Sequence, residues 1–262
     1  HPAGPVTFHR LLAVIGNNAK VTVVDDYLGG RSGDSPLVNS VVEIYAGDAS
    51  QVTYANLLRH SDGVKTYITQ RTRVGRDAEA LSIFAGLGGG LSKVNAGSIL
   101  SGRGAHSQLY GMAFGDKKQS FDYHTVHHHL SSKSYSNIDF KVALRDRAHS
   151  AYTGLIRIEE DALDCEAYQV NRNLLLDSDT KAESIPELEI LCDQVQCTHG
   201  SATGAIDPET LFYLKSRGMS DYEATKTIVS GFMEPTVSRL PSDLRDMVRK
   251  IVMAKLESGR NG

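Results

Sequence analysis

The segment "VKTYITQRTRVGRDA", which runs from Val64 to Ala78, shows in one place the pattern that decides the fold. Its first part is rich in Val, Ile, Thr and Tyr, the residues that favour β-strands. Its last part is a small polar cluster that ends on an alanine, which is typical of a turn before a new strand. Similar stretches precede it, as "AKVTVVDDYLG", "SVVEIYAG" and "SQVTYANLL". The sequence therefore predicts many short strands from about residue 6 to residue 197.

The turns of this region resemble one another and recur at a nearly constant distance. The clusters "GNNA", "AGDA", "GRDA", "GRGA" and "LRDRA" end at Ala19, Ala49, Ala78, Ala105 and Ala148. The first three intervals are 30, 29 and 27 residues, and the last is 43. A repeating interval favours a solenoid in which each rung stacks on its neighbour, and if a rung takes about half an interval, each interval holds two rungs of a β-helix. A β-sandwich is the alternative, because it also gives regularly spaced short strands.

The hydrophobic period changes from strand to helix after Asp207. This residue can cap a helix, Pro208 suits its first position, and Gly218 suits the position after its end. The sequence "SDYE", at 220–223, is a capping box for a second helix. A third helix follows Pro241, and its apolar residues form one stripe, made by Leu244, Met247, Val248, Ile251, Val252 and Leu256. Such a stripe needs a surface to cover it, which either the β region or a partner chain supplies.

The two periods divide the chain into a β core at residues 1–204 and a small helical domain at residues 205–262. The chain starts with His1 rather than Met, so we expect that an N-terminal part of a longer protein is missing.

Composition and charge exclude several classes of protein. A net charge of −3 with ten histidines gives no basic surface for nucleic acid. The three cysteines, without a CxxC pair, are neither a disulfide framework nor a zinc ribbon, and they fit a reducing compartment. No apolar run approaches the roughly 20 residues needed to span a membrane, and no signal peptide is visible. We therefore expect a cytoplasmic protein.

A histidine cluster in "DYHTVHHHL" is the first candidate for metal chemistry. In an extended strand His127 and His129 share a face, and His128 lies on the other. Two imidazoles on one face bind zinc or copper if a third ligand arrives from a neighbouring rung. The alternative is a polar ladder of histidines on the surface of a strand.

The second candidate lies in "QVQCTHGSATGAID", at residues 194–207, where Cys197 and His199 stand two positions apart. In a strand both point to the same face, so a thiol and an imidazole would lie together at the edge of a sheet. Two ligands are an incomplete metal site. From the spacing alone we favour the simpler interpretation, in which Cys197 packs in the last rung and His199 lies on the surface.

Other motifs do not indicate catalysis. The glycine-rich "GLGGGLSK", at 86–93, fails both common phosphate-loop patterns, so we predict a turn where backbones pass closely. Gln169, Asn171 and Asn173 alternate along a strand and suggest side-chain ladders in a solenoid. No pair of carboxylates stands out for glycoside hydrolysis.

Several segments resemble, in order, those of the SufB/SufD family of iron–sulfur cluster assembly proteins: "LSKVNAGSIL", "FDYHTVHHH", "AYQVNRNLLL", "PELEILCDQVQCTHGSATGAID" and "LFYLKSRGM". The resemblance is strong over roughly residues 81–233 and looser before them. Gly200 follows His199 here, which is similar to the SufD branch of the family.

This resemblance implies a right-handed parallel β-helix core followed by a small helical domain, with the family's N-terminal helical region absent. It implies a non-catalytic scaffold subunit that pairs with SufB through the β-helices and presents its C-terminal helices to SufC, an ABC-type ATPase. Clusters are expected to assemble at the SufB–SufD contact. The compartment would be the cytoplasm of a bacterium, or the stroma of a plastid if the source is a plant.

The resemblance also places roles on residues of this chain. His199 aligns with the histidine implicated in cluster assembly or metal transfer, and Cys197 aligns with the cysteine beside it. The contact with the ATPase is expected at the first helix and its end, which include Leu211, Phe212, Tyr213, Arg217 and Gly218. No tightly bound cofactor is expected, only transient iron or an iron–sulfur cluster at the interface with a partner. No role is carried onto His127 and His129, which stay weak metal candidates.

Two other functions are compatible with the sequence: a β-helix hydrolase or lyase that acts on a polysaccharide, and a purely structural subunit that braces its partners. A homodimer in the absence of SufB is also compatible. If the chain is instead the scaffold subunit that the resemblance implies, ATP-driven closure of two SufC subunits would pull on the C-terminal helices and tilt one β-helix against the other.

Overall fold

The protein is a parallel β-helix with three helices at its C-terminal end. The computed structural model describes residues 5–30 and 36–258. The strands are β1 (Val6–Ile15), β2 (Lys20–Gly29), β3 (Leu37–Ala46), β4 (Gln51–His60), β5 (Lys65–Val74), β6 (Glu79–Gly86), β7 (Leu91–Leu100), β8 (His106–Gly115), β9 (Ser120–His129), β10 (Tyr135–Leu144), β11 (His149–Ile158), β12 (Cys165–Leu175), β13 (Lys181–Ile190) and β14 (Val195–Ala205).

These strands form two parallel sheets that face each other across a closed interior. Sheet A holds the odd-numbered strands and sheet B the even-numbered ones, each in the order of the chain. Alternate residues point into the interior, as the burial pattern of β9 shows by strict alternation of half-buried and buried side chains. The predicted parallel β-helix is confirmed, and the β-sandwich alternative is wrong, because each strand pairs in parallel with the strand two places along the chain.

The number of rungs per interval differs from our expectation. Val6 of β1 pairs with Leu37 of β3, and Leu37 pairs with Lys65 of β5, so neighbouring rungs start 31 and 28 residues apart. One interval of the sequence repeat therefore holds one rung of two strands, not two rungs. The reason is that a single ten-residue strand with its turn already fills half of the interval.

The turn alanines belong to two rows of turns rather than one. Ala19, Ala78 and Ala105 each precede a strand of sheet B, whereas Ala148 precedes β11 in sheet A. This explains the longer last interval of the sequence pattern. Ala49 does not match the other turn alanines. It lies one residue earlier, in a left-handed conformation with φ 54°, and Ser50 is the residue just before β4.

The interior is filled by apolar and aromatic side chains that stack along the solenoid axis. Phe121 lies parallel to Tyr123 with ring centroids 6.2 Å apart, and Tyr123 and Tyr152 each contact Phe140 at 5.2 Å. Gly111 of β8 faces Phe140, and a Cβ there would lie 2.0 Å from the ring. A glycine is therefore needed where the large ring crosses the interior.

The glycine-rich stretch at 86–93 is the predicted close-packed turn. It joins β6 to β7, and no helix follows it. A Cβ at Gly88 would lie 2.3 Å from the carbonyl oxygen of His60, and one at Gly90 would lie 2.3 Å from that of Asp62. The prediction of a turn where backbones pass closely is confirmed.

The helices are α1 (Pro208–Ser216), α2 (Asp221–Val237) and α3 (Ser242–Ser258). The predicted caps are present: Asp207 accepts from the backbone of α1, Ser220 and Glu223 form the capping box of α2, and Gly218 has φ 94° after α1. None of the helices within residues 5–30 and 36–258 is long and apolar enough to cross a membrane.

Helices α2 and α3 pack on the outer face of sheet B. Their buried residues form one apolar cluster with the outward-facing residues of the even strands: Val229, Met233, Val237, Leu240, Val248, Val252 and Leu256 on the helical side, and Leu57, Ile83, Met112, Phe114 and Ala143 on the sheet. The β region, rather than a partner chain, therefore covers most of the predicted apolar stripe of α3. The division into two domains at residue 204 stays a prediction, because helices and sheet share this core.

The end of α3 is clamped to the turns of the solenoid. The Nζ of Lys255 donates to the carbonyl oxygen of Phe114 at 2.7 Å and to Oε1 of Gln119 at 2.7 Å, and lies 3.2 Å from a carboxylate oxygen of Asp116. Arg145 donates to the last carbonyl groups of α3, including that of Leu256 at 3.1 Å. Burial lowers the pKa of Lys255, because it disfavours the charged form of the side chain. The polar contacts oppose this effect and stabilise the buried ammonium group.

Candidate functional site

Strand β14, the last strand of sheet B, carries both Cys197 and His199. It pairs in parallel with β12, so that Cys197 lies beside Ala167 and His199 beside Gln169. Ala167 and Gln169 are buried in the interior. Cys197 and His199 therefore share a face, as predicted from their spacing, and this face continues the inward row of β12. No further strand among the described residues covers them.

His199 is exposed, although it stands in register with the interior row. Within the described part of the chain its ring makes no hydrogen bond or ion pair, so neither ring nitrogen is engaged by another side chain there. In the neutral ring one nitrogen donates and the other has a lone pair that can bind a metal ion. The surface position that we predicted for His199 is confirmed.

Cys197 is half-buried and packs with the apolar end of the solenoid core, where Cys165 and Cys192 also lie. Burial raises the pKa of the Cys197 thiol to about 11. The thiol is therefore protonated near neutral pH, and the thiolate is the form that binds metals and attacks electrophiles. In this state Cys197 is a packing residue, which agrees with the simpler interpretation, and a role in cluster assembly stays a prediction.

The two strands of the last rung offer different free edges. In β13 the amide groups of Lys181 and Leu191 face β11, and since N–H groups alternate along a strand, the nitrogen of Pro186 faces outward. Proline cannot donate there, and three glutamates, Glu183, Glu187 and Glu189, project from the outer face of the same strand. Strand β14 has neither proline nor a charged residue. Its free edge is thus the one open to pairing with another strand.

His127 and His129 lie inside the solenoid, and His128 lies outside, so the predicted sharing of faces is confirmed. The surface ladder is wrong for this pair, because both rings are fully buried. His129 bonds through Nδ1 to Ser134 at 2.7 Å and through Nε2 to Ser136 at 2.8 Å, and His127 lies 3.3 Å from the hydroxyl of Ser107. Serine hydroxyls, rather than a third metal-ligating side chain, surround the rings.

Metal-ligating side chains do not converge within residues 5–30 and 36–258. Among the residues that the structure describes, no group of three or more His, Cys, Asp or Glu side chains is arranged to hold a metal ion. Any metal bound by His199 would therefore need ligands from water or from another molecule.

Helix α1 is the most weakly held element next to the site. It has no buried residues, and it follows β14 after only two residues, Ile206 and Asp207. Phe212 is 73% and Tyr213 is 55% exposed. The guanidinium of Arg217 lies over the ring of Tyr213 at 5.3 Å. The residues predicted to contact the ATPase thus include an exposed aromatic pair, while Leu211 is half-buried.

Sequence reasoning predicted a polar row in the solenoid but missed that this row lies directly behind β14. Gln169, Asn171 and Asn173 are buried and lie directly behind His199, Ser201 and Thr203. In the next rung inward the same row holds Ile138, Phe140 and Val142. The period-two pattern predicted a ladder of amides, but only the register places that ladder behind His199.

Within the described residues the fold is thus a parallel β solenoid whose last strand, β14, carries an exposed imidazole beside a free edge. The model of the family described as "SUF system FeS cluster assembly, SufBD core domain" matches residues 2–232. The chain therefore belongs to the SufBD family of the SUF iron–sulfur cluster assembly system.

Curated relatives support this assignment. The chain is 29% identical over 263 residues to an iron–sulfur cluster assembly SufBD family protein of Mycobacterium tuberculosis, and 30% identical to one of Mycobacterium leprae. Each alignment covers 97% of this chain and 65% of the relative. It is also 29% identical over 235 residues to the iron–sulfur cluster assembly protein SufD of Bacillus subtilis, covering 89% of this chain and 54% of that protein. The chain thus spans between half and two thirds of the length of these relatives.

Proposed function

We propose that this chain is a SufD-like scaffold subunit that pairs with SufB and a SufC-type ATPase and helps to acquire iron or assemble a cluster at the SufB contact. Membership of the SufBD family and the similarity to Bacillus subtilis SufD support the general role. The observation that carries the specific role is the position of His199, exposed on an end strand whose edge has no partner. The chain itself performs no catalysis in this proposal.

His199 alone is an incomplete metal site, which explains why a partner is needed. A single imidazole binds Fe(II) weakly, which suits transfer of a transient metal better than storage. Addition of a partner strand to β14 would bring foreign side chains next to His199, because residues opposite each other in paired strands lie about 5 Å apart. Iron or the growing cluster is thus a substrate held between two chains, and this chain needs no resident cofactor.

Helix α1 is the proposed contact with the ATPase. Exposed aromatic residues are typical anchors of protein interfaces, and Phe212 and Tyr213 form such a pair. ATP would be bound by the partner, since the glycine-rich stretch of this chain is a turn between two strands.

The geometry refines the hypothesis that closure of the ATPase pulls on the C-terminal helices. Helices α2 and α3 are fixed on sheet B, so a pull on them would move the whole solenoid. Helix α1 is attached through two residues to β14, so a pull on α1 would act first on the strand that carries His199.

His199→Ala tests the proposal. We expect that the variant still assembles with SufB and a SufC-type ATPase, because the ring of His199 makes no hydrogen bond or ion pair within the described chain. Cluster formation on the complex should fall at least tenfold, because transfer loses its ligand. Assembly is measured by co-purification and cluster formation by visible absorption under anaerobic reconstitution. His124→Ala, which removes another accessible histidine far from β14, is the control and should keep full activity.

A purely structural subunit is the remaining alternative. It predicts that His199→Ala forms both the complex and the cluster at the rate of the unmodified chain, and that result would refute the proposed role of the site.

A further inference from the structure

Gln169 stands directly behind His199 and is one of the most deeply buried polar residues of the solenoid. Its side chain is 1% exposed. The register places it beside His199 on the neighbouring strand, on the same inward row. Neighbouring strands of a sheet lie about 4.8 Å apart, so the two side chains leave adjacent backbone positions on the same face.

The amide of Gln169 is held in one orientation. Its Nε2 crosses the interior and donates to the carbonyl oxygen of Gly154 on β11 at 3.0 Å. Gly154 makes room for this contact, because a Cβ there would lie 2.6 Å from Nε2 and 2.4 Å from the hydroxyl of Tyr152. Any side chain at position 154 would displace the amide.

The other end of the same amide is left unused. Oε1 of Gln169 is buried, and within the described residues it accepts no hydrogen bond. A buried acceptor without a donor costs about 1–3 kcal/mol, so native proteins rarely leave one without a purpose. The register neighbour on the open side, His199, is a donor whose ring is itself without a partner in the described chain.

We propose that Gln169 is a positioning residue for His199: its Oε1 accepts the N–H of the imidazole and fixes which ring nitrogen faces the partner. Turning the exposed ring inward about its own side-chain bonds would bring N–H and Oε1 together. The second nitrogen then keeps its lone pair and points away from the solenoid, where a metal ion would bind. Metal-binding histidines commonly donate their other ring N–H in this way.

The purpose of this contact rests on the proposed function, but its existence does not. The amide oxygen and the ring belong to this chain alone. The contact can therefore be measured on the isolated full chain, without iron, SufB or ATPase.

The test is the tautomer ratio of His199, read from the ¹⁵N chemical shifts of its ring at a pH where the ring is neutral. An ordinary hydrogen bond should shift this ratio about tenfold from that of an unstructured peptide "CTHGS". Gln169→Met, which keeps the shape and removes the acceptor, should abolish the shift. Asn171→Leu removes an equally buried amide of the same row, beside Ser201, and should leave the ratio of the unmodified chain in place.

Three results would overturn the proposal: a peptide-like ratio in the unmodified chain, a shift that persists in Gln169→Met, or a change in Asn171→Leu as large as in Gln169→Met. If Gln169→Met does not fold, the comparison of the unmodified chain with the peptide decides alone. Failure here would leave the role of His199 in cluster formation untouched, because His199→Ala tests that role separately.

Discussion

At the scale of single residues, the interior histidines set the response of the protein to acid. Burial lowers the pKa of His127 to about 3 and that of His129 to about 4, with smaller contributions from the neighbouring histidines. In the unfolded chain both titrate near 6.5. The folded state therefore binds fewer protons than the unfolded state between these values, and its stability falls as the pH falls.

We expect the free energy of unfolding to be highest above about pH 6.5 and to fall toward pH 4. Each histidine can contribute a slope of up to about 1.4 kcal/mol per pH unit. In the double variant His127→Gln, His129→Gln this slope should become shallower, which urea titrations at pH 7, 6, 5 and 4 would detect. His124→Gln, at a site that is 40% exposed, should keep the slope. Equal slopes in all three chains would show that the two rings are not buried in neutral form.

The residue scale also shows how far the spacing of two residues in the sequence predicts their positions in the structure. The spacing of Cys197 and His199 gave their shared face, because the strand period is local. It also favoured, as the simpler interpretation, a packed Cys197 and a surface His199, but it could not show which residues of β12 and β13 lie beside them. The position of Gln169 behind His199 was hidden for the same reason: 30 residues separate the two along the chain.

At the scale of elements, turns and caps were predictable and their stacking was not. The capping box of α2 and the end of α1 at Gly218 depend on a few adjacent residues, so the sequence alone located them. The number of residues per rung depends on how strands pair, and there the sequence repeat was interpreted with one rung too many per interval. The packing of α3 on sheet B also required the register, because the outward residues of five strands supply the surface.

The glycines of the interior offer a test of this packing. Gly111→Ala should destabilise the protein by about 1–3 kcal/mol, because its Cβ would overlap the ring of Phe140. Gly231→Ala should stabilise it by up to about 1 kcal/mol, because the site is in the exposed middle of α2 and a Cβ there meets nothing. Chemical denaturation measures both. Equal effects of the two substitutions would mean that Phe140 does not cross the interior at Gly111.

At the scale of the whole molecule, the helices differ in how well they are packed on the solenoid. Helices α2 and α3 are held on five strands of sheet B by the apolar cluster and by the contacts of Lys255, whereas α1 buries no residue. A surface helix of this kind can be changed without loss of stability.

We therefore expect that Phe212→Ala with Tyr213→Ala lowers the affinity for a SufC-type ATPase at least tenfold and leaves the melting temperature within about 2 °C. Affinity is measured by calorimetry with the purified ATPase. Leu163→Ala, which removes an apolar side chain that is 43% exposed in a turn, should change neither quantity. Unchanged affinity in the double variant would move the ATPase contact away from α1.

The proline and glutamates of β13 have a consequence for how many copies can associate. If both strands of a terminal rung had edges free to form backbone hydrogen bonds, a rung of another copy could pair with them. Repetition of this contact would build a head-to-tail fibre. Here one of the two terminal strands is blocked, so continuation of both sheets is prevented while a single strand-to-strand contact at β14 remains possible. If chains associate through that contact as proposed, the association would close after two chains and would keep the imidazole at the centre of a pair instead of repeating it along a filament.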